Sequence, residues 1–484
     1  MPDDPVPGAV SAQPESRARW ASRMLLLLTA ALVVALPALW VSSQYLGSEV
    51  AGSLSYPVRD GWCEAGLSPG LGVHCFGDYA GQVLTARHDF GLPDFDLTKH
   101  PYLADATQAY NSLYTPVGQL PHVASALLIS AGLGVKATFY LYAALLLIAA
   151  AAPAIWLAWL WRRSAFALIP LVLLGVAALP VISVIDRGNS AGFVVPFLLG
   201  FALFAGKDPP WLAPGFVVAA ALVRPQFILL ALALIALAKW RQALASVAAF
   251  AGITVVSFAV TAGGIADGLS AWKSNLSGFR GIGDLTLADN ANISLARAVV
   301  MLGEWIGQAP GSIGSFGRWL AASAAGYPLG VVIITAVAFV LVALAARNLM
   351  PRSVAIMLSL AIAGQASTIS PGYYLMFATV IAAMVIGAAI TGASPQGAFD
   401  AERDSSRGLA VFRWTLIGAV TLSLTPLPWG GGTVVPGMPG SAWVHSWILR
   451  HIGLIWLGVI ALGLIVVLAR ALRRGMGTAL APET

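Results

Sequence analysis

Apolar runs of up to about 20 residues recur along this chain, and charged residues close them at their ends rather than interrupt them. A bilayer core takes about 20 apolar residues per helix, so this pattern restricts the fold to helices in a membrane. Composition agrees: 58% of residues are apolar and 10% charged, against about 25% charged in an ordinary soluble domain. A soluble enzyme and a disordered protein are excluded. The 27 Lys+Arg and 21 Asp+Glu, net +6, are scattered between apolar runs. They are not gathered on one face that could follow a phosphate backbone, so no nucleic-acid partner is expected. Membrane lipid is the expected surround, and the basic excess is read first as topology.

The first run, from Met24 to about Ser43, follows Arg17, Arg19 and Arg23. It is too long for a signal peptide, and no small-residue cleavage site follows it, so it reads as a retained helix. Later runs fall at roughly 138–161, 165–185, 191–206, 211–223, 227–238, 243–263, 327–346, 353–369, 373–392, 409–426 and 449–470. With the N-terminus inside, 16 basic and 8 acidic residues lie on the cytoplasmic side, and 11 basic and 13 acidic outside. That asymmetry obeys the positive-inside rule and predicts an all-α polytopic protein of about 12 spans with both termini cytoplasmic. Residues 117–134 are apolar but would invert every later span, so they read as a membrane-dipping piece of the first outside loop. The chain divides into a cytoplasmic tail (1–23), a transmembrane module (24–392) containing the outside loop 44–135, a polar linker (393–408), C-terminal helices (409–470) and a tail (471–484).

The two cysteines, Cys63 and Cys75, both lie in the first outside loop. Disulfides persist on the oxidising side of a membrane, and a bridge across a loop this short adds up to about 3 kcal/mol of local order. Two free thiols are the alternative. A bridge would end just before Asp78 and brace it.

Long loops inside compact proteins are usually functional. This one carries Glu49, Asp60, Glu64, Asp78, Asp89, Asp94, Asp96 and Asp105, with His74, His88, His100 and His122 in it or near it. In Phe76-Gly77-Asp78-Tyr79 a carboxylate is boxed by two aromatics. Aromatic burial raises a carboxylate pKa, which suits a general base, although a solvated loop Asp has the same local sequence. His88-Asp89 is a second acid/base or metal pair on paper, and more often two solvated residues. Asp94-Phe95-Asp96 lacks the remaining ligands of a calcium loop. Asp186-Arg187-Gly188-Asn189 sits between two apolar runs at the outer surface, where charge is costly and often functional, although an Asp-Arg pair capping the next helix reads the same. Arg224-Pro225-Gln226 sets a guanidinium at a helix break, suited to a phosphate through its planar fork, although an Arg snorkelling to the membrane interface has the same local sequence. Lys273, Arg280, Asp289-Asn290-Ala291-Asn292 and Ser370-Pro371-Gly372-Tyr373-Tyr374 complete the outside set.

These residues, in this order from about 24 to 392, resemble glycosyltransferase family 87. The likeness rests on Gly77-Asp78-Tyr79, Tyr114-Thr115-Pro116-Val117-Gly118, Asp186-Arg187-Gly188-Asn189, Leu222-Val223-Arg224-Pro225-Gln226 with Lys239-Trp240-Arg241, Asp289 to Ser294, and Ser370 to Tyr374. Arg224 stands where the family commonly has Lys, and Thr115 replaces the first Pro of a Tyr-Pro-Pro-like stretch. The resemblance implies a C-type glycosyltransferase fold in a bacterial plasma membrane, with the active site extracytoplasmic. It implies transfer of a sugar, mannose favoured and arabinofuranose the alternative, from a polyprenyl-phosphate donor. The acceptor would be a hydroxyl of a cell-envelope glycolipid or glycan. It also implies inversion without a metal or other cofactor. Asp78 is then the expected base, with His88 and Asp89 as second choice. Arg224, then Arg280 and Lys273, are expected to hold the donor phosphate. Tyr79, Asp186, Arg187, Asn189, Gln226, Asn290, Asn292, Tyr373 and Tyr374 are expected to contact substrate. A transporter or lipid flippase is the main rival, but the near absence of ionisable residues in mid-span weighs against ion-coupled transport.

Overall fold

The computed structural model describes residues 23–35, 37, 77–93, 114–163, 165–207, 209–287, 292–346, 350–368, 370, 372–391, 407–425, 432–434, 442–444 and 447–479. Cys63, Cys75, Asp289 and Asn290 lie outside them, and so does the polar linker apart from its last residues.

Helix α1 (Arg23–Ala35) is followed by α2 (Gly77–Asp89) and, after a 3-10 turn at Val117–Gln119, by α3 (Leu120–Ser130). Next come α4 (Val135–Ala150), α5 (Ala152–Leu160), α6 (Leu168–Gly175) and α7 (Leu179–Arg187). A 3-10 segment Ser190–Val194 leads into α8 (Val195–Phe204), then α9 (Leu212–Val223), a 3-10 segment Pro225–Leu230 and α10 (Ala231–Ala236). Then follow α11 (Trp240–Ser257), α12 (Gly264–Leu287), α13 (Leu295–Gly307), α14 (Gly311–Gly326), α15 (Pro328–Ala346) and α16 (Arg352–Gly364). A 3-10 turn Gly372–Leu375 precedes α17 (Met376–Thr391) and α18 (Arg407–Leu424). Strands β1 (Gly432–Val434) and β2 (Ala442–Val444) form a small antiparallel pair, an addition to the all-helical expectation, before α19 (Trp447–Ala479).

Among the described residues, three helices are long and apolar enough to cross a membrane: Trp240–Val260, Pro328–Ala346 and His451–Arg473. The number rises to five if each bent pair is one span, and eight further apolar helices have only 10–17 residues. The protein is a multi-pass membrane protein, but many of the apolar runs are not single straight helices. Proline is the reason: it lacks the N–H and clashes with the carbonyl four residues back. The run 138–161 bends by 53° between α4 and α5, where Pro153 opens α5. The run 165–185 bends by 60° between α6 and α7, where Pro180 opens α7. The segment Val117–Ser130, at about 1.5 Å per residue, is too short to cross. Between the apolar runs 243–263 and 327–346, the described residues of 264–326 are mostly helical, and α13 and α14 pack as a hairpin.

The centre of the molecule is α16. Every residue from Ser353 to Gly364 is buried, as expected of a helix apolar on all sides. It packs against α10, α17, α19 and the 3-10 segment Pro225–Leu230. Trp456 on α19 is fully buried, meets Phe377 edge-on at 4.9 Å and donates its indole N–H to the Ser423 hydroxyl at 2.9 Å. Exposed Ile334, Val337, Leu341 and Leu344 on α15 face outward, where an apolar surface meets lipid.

Trp456→Ala is expected to destabilise the protein by about 3–5 kcal/mol. Trp456→Phe, which keeps the packing and loses the hydrogen bond, should cost about 1 kcal/mol. Thermal unfolding of the purified protein in detergent checks both, and Ser423→Ala should add little on top of Trp456→Phe.

Candidate functional site

The site is built around the end of α9. Arg224 has an extended backbone, φ −141° and ψ 107°, because the residue before a proline is excluded from the helical region. The last carbonyls of α9 therefore lack helical partners. The Thr115 hydroxyl donates to the carbonyl of Leu222 and accepts from the amide of Gly118 at 3.1 Å. A Cβ at Gly118 would lie 2.9 Å from the Val223 carbonyl oxygen and 3.0 Å from that of Leu222, so the close approach needs glycine. This contact sets Tyr114 beside Arg224.

The Arg224 side chain is 2% exposed. Its guanidinium carbon lies 3.9 Å from the centre of the Tyr114 ring and 5.8 Å from that of Tyr374. One terminal nitrogen donates to the Asn189 side-chain oxygen and, at 3.2 Å, to the Ser190 hydroxyl. The Nε hydrogen is buried with no partner. No carboxylate among the described residues forms an ion pair with it. Among the described residues, a full positive charge is thus held out of water by neutral oxygens and ring faces, an arrangement that favours an anion.

Asn189 also caps the 3-10 segment that follows it, accepting from the amide of Ala191 at 2.9 Å. Before it, Gly188 ends α7 with φ +60°. A Cβ there would stand 2.8 Å from that of Tyr79, so only glycine lets α7 end against α2. Tyr79 is buried beside Tyr142 and Phe139, with ring centres 4.7 and 5.4 Å away. Burial pushes its phenol up to about 12, so it stays neutral at physiological pH. The Tyr142 hydroxyl donates to the Gly188 carbonyl at 2.9 Å and meets His122 Nε2 at 3.2 Å.

A clasp brings the 370–374 turn to the same place. The Asn292 side-chain oxygen accepts from the amides of Ser294 and Ser370, each at 3.0 Å, and its NH2 donates to the Thr368 carbonyl at 3.0 Å. The Ile293 amide donates to the Ser370 carbonyl at 2.8 Å. Tyr374 is thereby buried over Arg224, with half-buried Tyr373 against it at 5.0 Å.

Of the residues singled out by sequence, Tyr79, Asn189, Arg224, Asn292, Tyr373 and Tyr374 belong to this assembly. Gln226 follows Arg224 and is half-buried, its NH2 without a partner. Asp78 is the second residue of α2, and Asp186 and Arg187 close α7; their side chains lie outside the described ones. Arg280 is on α12 under the same limit, and Lys273 on that helix is exposed. His88 and Asp89 make no direct contact with Arg224, Tyr114 or Tyr374 among the described residues. They end α2, nine residues beyond Tyr79, or roughly 14 Å along the helix. Exposed His88 lies 3.3 Å from one Asp89 oxygen. The other Asp89 oxygen accepts from Gln119 at 3.1 Å, and the Asp89 carbonyl accepts from Ala262 at 2.8 Å, so Asp89 braces α2. No three His, Cys, Asp or Glu among the described residues stand together as metal ligands.

Sequence reasoning did not place Tyr114, His122, Tyr142 or Ser190 in the site. One signal was available for Tyr142: a tyrosine three residues after Phe139 in an otherwise apolar run shares its helix face.

Fold and site together define a multi-pass membrane protein with a buried arginine that no carboxylate among the described residues pairs, where four broken or short elements meet. The chain belongs to glycosyltransferase family 87, whose family model matches residues 113–371. It is a membrane glycosyltransferase, acting on a sugar donor and an acceptor. No curated protein and no solved structure compared with it matches.

Gly188→Ala is expected to cost about 1–3 kcal/mol from the left-handed backbone and the contact with Tyr79. Its melting temperature in detergent should fall and its glycosyl transfer with it. An unchanged melting temperature would show that α2 and α7 are not held together by this contact.

Proposed function

We propose that the protein transfers a sugar from a polyprenyl-phosphate donor to a hydroxyl of a cell-envelope glycolipid or glycan at the extracytoplasmic face of a bacterial plasma membrane. The observation that carries this reading is Arg224, buried, charged and, among the described residues, without a carboxylate partner. A lipid-linked phosphate supplies the missing negative charge. Arg224 anchors that phosphate, and Asp78 is the general base.

In the step itself, Asp78 takes the proton of the acceptor hydroxyl as its oxygen attacks the anomeric carbon. The bond from that carbon to the phosphate oxygen breaks, and the lipid phosphate leaves with the electron pair. Arg224 stabilises the charge that grows on the leaving oxygen, in a dry setting where such an interaction is strongest. A single displacement inverts the anomeric centre. A phosphate monoester is already a good leaving group, so no metal or other cofactor is required. Mannose is the favoured sugar and arabinofuranose the alternative, since both share the same phosphate handle.

In reconstituted vesicles with labelled polyprenyl-phosphate mannose or arabinofuranose, Asp78→Asn should lower kcat roughly 10²- to 10⁴-fold and leave donor binding intact. Retained turnover would move the base to another residue. Arg224→Gln should weaken binding of polyprenyl phosphate itself by roughly 10- to 100-fold, with Arg224→Lys in between. Vectorial movement of intact donor without sugar release would replace transfer by a flippase.

A further inference from the structure

His122 is fully buried on α3, its ring nearly parallel to that of Tyr114 at 15° and 6.5 Å, and Tyr114 carries the Arg224 guanidinium on its ring. The hydrogen bonds around it assign its hydrogen. The Gly188 carbonyl can only accept, so the single hydrogen of the Tyr142 hydroxyl goes there. The contact between that hydroxyl and His122 Nε2 at 3.2 Å is then a hydrogen bond only if Nε2 carries the hydrogen. Full burial and the Arg224 charge both disfavour a second cation beside it, so the ring is neutral. Nδ1 is consequently a bare acceptor, buried and without a partner. An unmade hydrogen bond of this kind in a buried site calls for an explanation, and a bound ligand is one that fits.

We propose that His122 Nδ1 accepts a hydrogen bond from a hydroxyl of the donor sugar and so selects the sugar carried by the phosphate. This rests on Arg224 being the phosphate anchor. A hydroxyl donor suits Nδ1 because the acceptor atom is permanent, held by the Tyr142–Gly188 chain. The phosphate cannot take that place, because it offers acceptors to an acceptor. Arg224 then reads the part common to all polyprenyl-phosphate donors, and His122 reads the part that distinguishes one sugar from another.

Two isosteres separate this role from a structural one. His122→Asn retains an acceptor near the Nδ1 position and loses the link to Tyr142. His122→Gln retains a donor toward Tyr142 and loses Nδ1. With the full-length protein in nanodiscs and polyprenyl-phosphate mannose or arabinofuranose, whichever is turned over, kcat/KM should fall roughly 10- to 100-fold in His122→Gln and less in His122→Asn. Binding of polyprenyl phosphate, which has no sugar, should be unchanged in both. The reverse order, with His122→Gln near native and both His122→Asn and Tyr142→Phe impaired, would overturn the proposal in favour of a purely structural histidine. Should His122→Gln not fold, monodeoxy donors on the native chain carry the test. Loss of one particular hydroxyl should lower kcat/KM roughly 10-fold or more, and equal rates for all would overturn the proposal. Failure of the underlying reading has a separate sign: native protein that turns over the donor, yet binds polyprenyl phosphate equally well with and without Arg224.

Discussion

The arrangement of the site depends on one buried charge. Moving a guanidinium out of water costs several kcal/mol unless its hydrogen bonds and its charge are answered. Around Arg224 the answer is partial: the Asn189 and Ser190 oxygens, two tyrosine rings, and an Nε hydrogen left over. Those four residues come from positions 114, 189–190 and 374, so one side chain ties together segments distant in sequence. Among the described residues no carboxylate answers its charge, and that gives the protein a reason to bind an anion there.

The broken helices follow from the same requirement. Backbone groups freed by a break have no water to turn to inside a membrane and must be satisfied by protein. The end of α9 is satisfied by Thr115, and the end of α7 gives its Gly188 carbonyl to Tyr142. The side chains that repair the breaks thus come to surround Arg224. Pro225 breaks α9 and Thr115 answers the Leu222 carbonyl there, while Gly188 ends α7 and Tyr142 answers its carbonyl.

Much of this was legible in the sequence, for reasons that can be named. Apolar runs with charged ends report membrane helices directly, because desolvating a charge is costly wherever the neighbours are. Pro225 reports a helix break for local steric reasons, so the exposed backbone beside Arg224 was readable too. The motifs at 186–189, 224–226 and 370–374 were expected on one side of the membrane, and they do converge. The run lengths misled at 138–161 and 165–185, where hydropathy is blind to the bends at Ala151 and Val176–Ala178. His88-Asp89 drew attention by residue type alone. Nine positions of helix put His88 on the face of α2 opposite Tyr79, and Asp89 is taken by Gln119.

By itself the sequence determined the medium, the helical class and which polar residues were too costly to be incidental. These are local properties: hydropathy of a run, the missing N–H of a proline, the charge of an arginine. Only the tertiary structure decided that Tyr114 lies on Arg224, that Asn292 clasps the 370–374 turn, and that His122 keeps Nδ1 open. Those facts depend on which hydrogen-bonding groups are already taken. Partners 46 residues apart, as Tyr142 and Gly188 are, or 78 apart, as Asn292 and Ser370 are, meet only once the chain has packed.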